Sequence, residues 1–342
     1  MSKNKLFGIG FLLLGVITLV GILVNNISYA EDNITLRINN TLENDTTTTT
    51  VDKSKFILIS SDNKIIRSFS IGINTGYIDI SNLGPGNYTL YNTYSPDNYK
   101  ILDPATITIN SDSNLQTYTV NNEASNQIKL IIQNIDPGIE DYIGGSTFDI
   151  YSGTEKVSSC TTKDHLPCII TNLASGEYTI KESVTPPGYF KLEDQSFTID
   201  TNFEGKTKTV AFERSYTKVE ICKLNSNTSK NIAGASLELY DINNKLIDSW
   251  TSDEYVHLIE RIPFGEYYLV ETSAPAGYEK TTETKTIMVD ENTTIVHVVF
   301  ENNPTITTED TLSSTSILTI VLCVSSLVIG SILMFSIKEK NE

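Results

Sequence analysis

The chain has 342 residues, with 25 Lys and Arg against 42 Asp and Glu, for a formal charge of −17. So acidic a chain has nothing to hold a nucleic-acid backbone, and the surplus carboxylates read as a solvating exterior. Modest Pro and Gly counts beside abundant Ile, Tyr, Thr and Val argue for folded β domains rather than a disordered stalk.

Residues 1–30 carry Lys3 and Lys5, an apolar run from Leu6 to Val24, and the small-residue ending Ser28-Tyr29-Ala30. That layout is a secretory signal peptide cut by signal peptidase after Ala30, with an uncleaved membrane anchor as the alternative. Beyond it, the sentences GNYTLYNTYSPDNY from Gly86, GEYTIKESVTPPGY from Gly176 and GEYYLVETSAPAGY from Gly265 recur, their first tyrosines at Tyr88, Tyr178 and Tyr267. A repeat of domain size means duplicated domains. Short β-branched and aromatic runs, separated by Gly, Pro, Asn and Asp, predict an all-β chain of three tandem β-sandwiches, at 31–122, 126–214 and 217–303. No amphipathic helix is expected between 31 and 316.

Residues 304–316 read as a polar linker. Ile317 to Ile337 has no charge and is long enough to cross a hydrocarbon core of about 30 Å as a helix. Lys338 and Lys340 in the tail 338–342 place that end in the cytoplasm and 31–316 outside. The expected location is the cell membrane, single-pass, with the cell wall as the alternative.

Strand parity predicts an unusual interior for the third domain. Tyr267, Leu269 and Glu271 share a face, as do Val219, Ile221 and Lys223, and Val296, Val298, Phe300 and Asn302. A lysine, a glutamate and an asparagine therefore enter one small core from three strands. Buried charges are costly unless paired, so the three should meet. They read as a buried ion pair with an amide partner, as strand-end residues that reach solvent, or as a reactive set. In the reactive case a desolvated lysine loses its proton and attacks the Asn302 carboxamide, with Glu271 as a general acid that works once.

The segment VEICKLNSNTSKNIAGASLELYD from Val219, the GEYYLVETSAPAGY sentence and the closing VVFENNP resemble the prealbumin-like, SpaA or collagen-adhesin B-type domains of Gram-positive surface proteins. The resemblance implies an intramolecular isopeptide bond between Lys223 and Asn302, assisted by Glu271. It covers the third domain, most of the second and the centre of the first.

The other copies depart from this pattern. Domain two keeps Glu182, but Asn134 stands eleven residues before Gly145 where Lys223 stands eleven before Gly234, and Arg214 replaces Asn302. In domain one Asn92 replaces the glutamate, and the first strand around Leu36 to Asn39 carries no lysine. Neither should form the bond.

Cys160 and Cys168 in an exported domain read as a disulfide spanning a hairpin. Cys-x4-His-x2-Cys through His165 would supply only three metal ligands. Cys222 should face outward by parity, Cys323 falls in the apolar span, and His257 and His297 receive no role. No cofactor, no metal and no enzymatic activity are expected. The functional expectation is a membrane-tethered stalk or adhesin whose extracellular ligand, host matrix or glycan, stays open. The alternative is an accessory or shaft subunit of a sortase-assembled pilus or wall layer. Against it, Asn303-Pro304-Thr305 and Glu309-Asp310-Thr311-Leu312 match an LPxTG-like sorting signal poorly, and no Tyr-Pro-Lys pilin motif occurs.

Overall fold

The computed structural model describes residues 33–42, 53–71 and 76–305; the signal-peptide and membrane-span expectations lie outside them. Among the described residues there is no helix long and apolar enough to cross a membrane. Every regular element among the described residues is a strand. Domain one holds β1 (Ile34–Leu42), β2 (Lys55–Ser60), β3 (Ile65–Ser70), β4 (Tyr77–Leu83), β5 (Gly86–Tyr94), β6 (Ala105–Ile109) and β7 (Leu115–Asn122). Domain two holds β8 (Lys129–Asp136), β9 (Asp141–Tyr142), β10 (Thr147–Ser152), β11 (Glu155–Thr161), β12 (Cys168–Thr171), β13 (Gly176–Val184), β14 (Gln195–Ile199) and β15 (Thr207–Glu213). Domain three holds β16 (Lys218–Asn225), β17 (Ser236–Asp241), β18 (Leu246–Thr251), β19 (His257–Glu260), β20 (Gly265–Ser273), β21 (Lys285–Val289) and β22 (Ile295–Asn302).

Each domain repeats one topology. A sheet built on the orders β4-β1-β7, β12-β8-β15 and β19-β16-β22, to which the short β9 adds a fourth strand beside β8 in domain two, accompanies a sheet of four in the orders β3-β2-β5-β6, β11-β10-β13-β14 and β18-β17-β20-β21. The first and last strands of domains one and three lie side by side and parallel: β1 with β7, and β16 with β22. The remaining pairings of known register are antiparallel, as expected where short turns join consecutive strands.

The alternation in the sequence produces the cores. In β20, Tyr267, Leu269 and Glu271 are buried while the residues between them are more exposed. With Val219, Ile221, Leu237, Leu239, Ile287, Val298 and Phe300 they fill the space between the two sheets of domain three. The repeated sentence has a structural explanation at both ends. The tyrosine hydroxyl donates back to the carbonyl four residues earlier in all three copies: Tyr88 to Gly84 at 2.9 Å, Tyr178 to Ala174 at 3.0 Å and Tyr267 to Pro263 at 2.7 Å. A buried phenol thereby keeps a partner while its ring packs in the core. The closing turn needs a left-handed residue, supplied by Asn98 (φ 65°), Gly188 (φ 83°) and Gly277 (φ 86°). Glycine and asparagine adopt that conformation at least cost.

Two expectations are corrected. Cys222 is buried: it lies on β16, the middle strand of its sheet, across from Val299 of β22, so turning away from the core does not expose so small a side chain. Cys160 and Cys168 do not span a hairpin: β11 and β12 belong to different sheets of domain two, and the disulfide between them joins those sheets.

Candidate functional site: a buried polar cluster between the sheets

Lys223, Glu271 and Asn302 come together between the sheets of domain three. Lys223 arrives from β16 and Asn302 from the end of β22, two parallel neighbours, while Glu271 crosses from β20 in the facing sheet. The side chains of Lys223 and Glu271 are 2% and 0% exposed, and Asn302 is 1% exposed. Lys223 Nζ lies 3.3 Å from Glu271 Oε1 and 4.0 Å from the centre of the Phe300 ring. Burial pushes the Lys223 ammonium below its ordinary pKa, and the nearby Glu271 charge only partly opposes this.

Asn302 Nδ2 donates to Glu271 Oε2 at 2.8 Å and to the Glu279 carbonyl at 2.6 Å. Glu271 Oε2 also accepts from the Thr281 N–H at 2.7 Å. One atom of each member is left without a hydrogen bond: Lys223 Nζ, whose contact with Glu271 is close but poorly aligned, Glu271 Oε1 and Asn302 Oδ1. Buried polar atoms are rarely orphaned, so three from one cluster require an explanation.

The equivalent cluster in domain two is fully engaged. Arg214 pairs with Glu182 through Nη2 and Oε1 in a very short contact, and Nη1 donates to Oε2 at 3.3 Å. Its Nε donates to Asn134 Oδ1 at 2.7 Å, Nη2 to Ser146 Oγ at 2.6 Å, and Nη1 to the Phe190 carbonyl at 3.0 Å. Asn134 Nδ2 in turn donates to the Ile143 carbonyl and to Ser146 Oγ. The planar guanidinium fork satisfies every acceptor around it, giving a static network with no nucleophile. Ser146 is the member that the repeat comparison missed; its only sequence signal is the position directly after Gly145.

In domain one the three cluster positions are all asparagine. Its register places Asn40 opposite Val120 as Lys223 stands opposite Phe300, so Asn40 is the first-strand counterpart, with Asn92 and Asn122 at the other two positions. Asn122 Nδ2 donates to Asn40 Oδ1 and to the Thr41 carbonyl, while Asn92 bonds the Lys55 and Tyr94 carbonyls. Asn92 also lines a cleft of about 250 Å3 with Phe56, Leu90, Tyr118 and Lys100.

A prealbumin-like fold domain model, SpaA, matches residues 37–124, 129–215 and 217–304. The chain belongs to the SpaA prealbumin-like family. Comparison with curated proteins returns no match. Among solved structures, the Bacillus anthracis TIE protein is 21% identical, over 79% of this chain and 51% of its own, with a TM-score of 0.36. This chain therefore spans about half of that protein. BcpA, the major pilin subunit of Bacillus cereus, is 19% identical over 80% of this chain and all of its own, with a TM-score of 0.27. The shaft pilin of Lactobacillus rhamnosus GG is 12% identical over 56% of this chain and all of its own, with a TM-score of 0.30.

The remaining residues singled out in this SpaA chain are paired locally. His165 Nδ1 lies 2.6 Å from Asp141 Oδ2, and the two cysteines that flank it in sequence are joined to each other. His257 stacks on Trp250 with ring centres 3.9 Å apart and bonds Asp248 through Nε2 at 2.7 Å. His297 pairs with Glu220 at 2.9 Å.

Proposed function

We propose that the protein is an extracellular stalk or adhesin of a Gram-positive cell, tethered by its apolar segment 317–337 and reinforced by an isopeptide bond in domain three. One observation carries the covalent part: the orphaned atoms of Lys223, Glu271 and Asn302 meet in one buried cluster, whereas the Arg214 network of domain two leaves none of its own. An unreacted cluster is the costly arrangement, and reaction removes the cost.

In the reaction, Lys223 passes a proton to the Glu271 carboxyl that it faces and attacks Cγ of Asn302 as a neutral amine. The Nζ–Cγ bond forms, the Cγ–Nδ2 bond breaks, Glu271 returns its proton to Nδ2, which leaves as ammonia, and the carboxylate takes up the second Nζ proton that is shed as the new amide forms. The hydrogen bond from Nδ2 to Oε2 puts the acid on the leaving group. The product joins the first and last strands and closes nearly the whole domain into one loop. By analogy with disulfide loop closure it stabilises by roughly 4 to 5 kcal/mol.

The test is the intact mass of the chain. Loss of one ammonia, abolished by Lys223→Ala and by Asn302→Ala, is the expected result; an unshifted mass in the folded wild type rules the bond out. Anchoring is tested separately: detergent should release the protein and muramidase should not, the reverse being expected of a sortase-attached pilus or wall protein. An extracellular ligand, matrix protein or glycan, is best sought at the cleft of domain one.

A further inference from the structure

A strap of chain meets the domain-three cluster from one side. Residues 277–281 run alongside 303–305: Tyr278 bridges Pro304, Glu279 N–H donates to the Asn303 carbonyl at 2.8 Å, and Thr305 N–H donates to the Gly277 carbonyl at 2.8 Å. This pairing fixes two backbone groups against the cluster. The Thr281 N–H, ten residues after Glu271, meets Oε2, and the Glu279 carbonyl, eight residues after it, meets Asn302 Nδ2.

The same offsets recur. Leu192 N–H, ten residues after Glu182, donates to Oε2 at 2.9 Å, and the Phe190 carbonyl, eight after, accepts from Arg214. In domain one Leu102 N–H, ten after Asn92, donates to its Oδ1 at 3.0 Å. The N–H half of the cradle thus recurs in all three domains, and the carbonyl half in domains two and three, whatever side chains they hold.

We propose, resting on the crosslinking reading above, that in domain three the cradle selects which face of the Asn302 amide meets the acid. Glu271 Oε2 and the Glu279 carbonyl both accept, so only the donor end of the carboxamide, Nδ2, turns toward them. The leaving nitrogen is held on the carboxyl while Oδ1 points elsewhere. Thr281 is the positioning residue: its N–H occupies Oε2 and leaves Oε1 to face Lys223. In domain two the same carbonyl is met by a guanidinium, so the cradle is present but has no reaction to direct.

The experiment follows ammonia loss by intact mass after the full chain is diluted from denaturant. Thr281→Pro removes the N–H; Thr281→Ala keeps it. The proline variant should react at least tenfold more slowly than the alanine variant. Unfolding of the Lys223→Ala forms of both fixes conditions in which each variant is folded, and comparing the rates there separates positioning from folding. Should Thr281→Pro not fold, the variant Lys280→Gly, Thr281→Gly loosens the strap with every N–H retained and should also slow the reaction. Leu192→Pro, which disturbs the cradle of domain two, should leave ammonia loss at its wild-type rate. Equal rates for the proline and alanine variants, or for the loosened strap and wild type, overturn the proposal. Absence of ammonia loss in the wild-type chain overturns the crosslink itself and this proposal with it.

Discussion

Cys160 in domain two and Trp250 in domain three occupy the same rung of their sheets. Each lies across from the buried residue, Phe148 or Leu237, that also pairs with the inward glutamate, Glu182 or Glu271. Their partners correspond too: Cys168 opens β12 and His257 opens β19, each in the opposite sheet. A disulfide in one domain and a ring stack in the other thus close the same open side of the sandwich. Replacing Cys160 and Cys168 by serine should cost domain two about 2 to 3 kcal/mol, from its short closed loop. Denaturant unfolding of the whole chain should show one transition moving and the domain-three transition fixed; an unmoved midpoint contradicts a stabilising bridge.

The stack in domain three should be worth less. A double-mutant cycle of Trp250→Ala and His257→Ala should give a coupling energy of about 1 kcal/mol, typical of paired rings. Coupling near zero would mean that the two rings share a place without sharing energy.

Removing Arg214 strands Glu182 in an apolar interior, so Arg214→Ala should destabilise domain two by about 3 to 5 kcal/mol. A more informative change restores the reactive set. Asn134→Lys with Arg214→Asn places a lysine and an amide beside Glu182 and the existing cradle of Leu192 and Phe190. Intact mass should then show a second ammonia lost, and a folded double variant with no added loss refutes the equivalence of the two clusters.

Much of the cluster was legible because strand alternation is strict. Tyr267, Leu269 and Glu271 point one way whatever the rest of the chain does, and the same reasoning leads from Leu36 and Ile38 to Asn40, one residue past the stretch singled out in the sequence. Cys222 was not legible: parity tells which face a side chain takes, whereas burial on the outer face of a central strand depends on the neighbouring strands. The path of the disulfide was hidden for a related reason. Consecutive strands β11 and β12 resemble a hairpin in sequence, and only the pairing shows that the chain changes sheets between them. Thr281 and Glu279 act through backbone groups, which leave no side-chain signature to read.

Lys223 gives a pH dependence that can be measured once the reaction is blocked. In Asn302→Ala the lysine stays buried and its pKa remains depressed below the ordinary 10.5. Folding then releases a proton over the window between the depressed value and 10.5. The cost of burying the lysine is therefore fully present below that window and fades as pH rises through it. The melting temperature of Asn302→Ala should approach that of Asn302→Ala, Lys223→Met as pH is raised toward 10.5. A constant gap would mean that the lysine is charged inside the fold.

The parallel pairing of β16 with β22 decides how domain three is loaded when its ends are pulled apart. The chain enters β16 at Lys218 and leaves β22 at Asn302, with eight residue pairs in register between the two strands. Tension along these strands slides one past the other, so their hydrogen bonds must fail together; an antiparallel pair pulled from adjacent ends would peel one rung at a time. Even without a covalent bond, the order of the strands makes this domain stiff lengthwise and weak only to forces that pry its sheets apart.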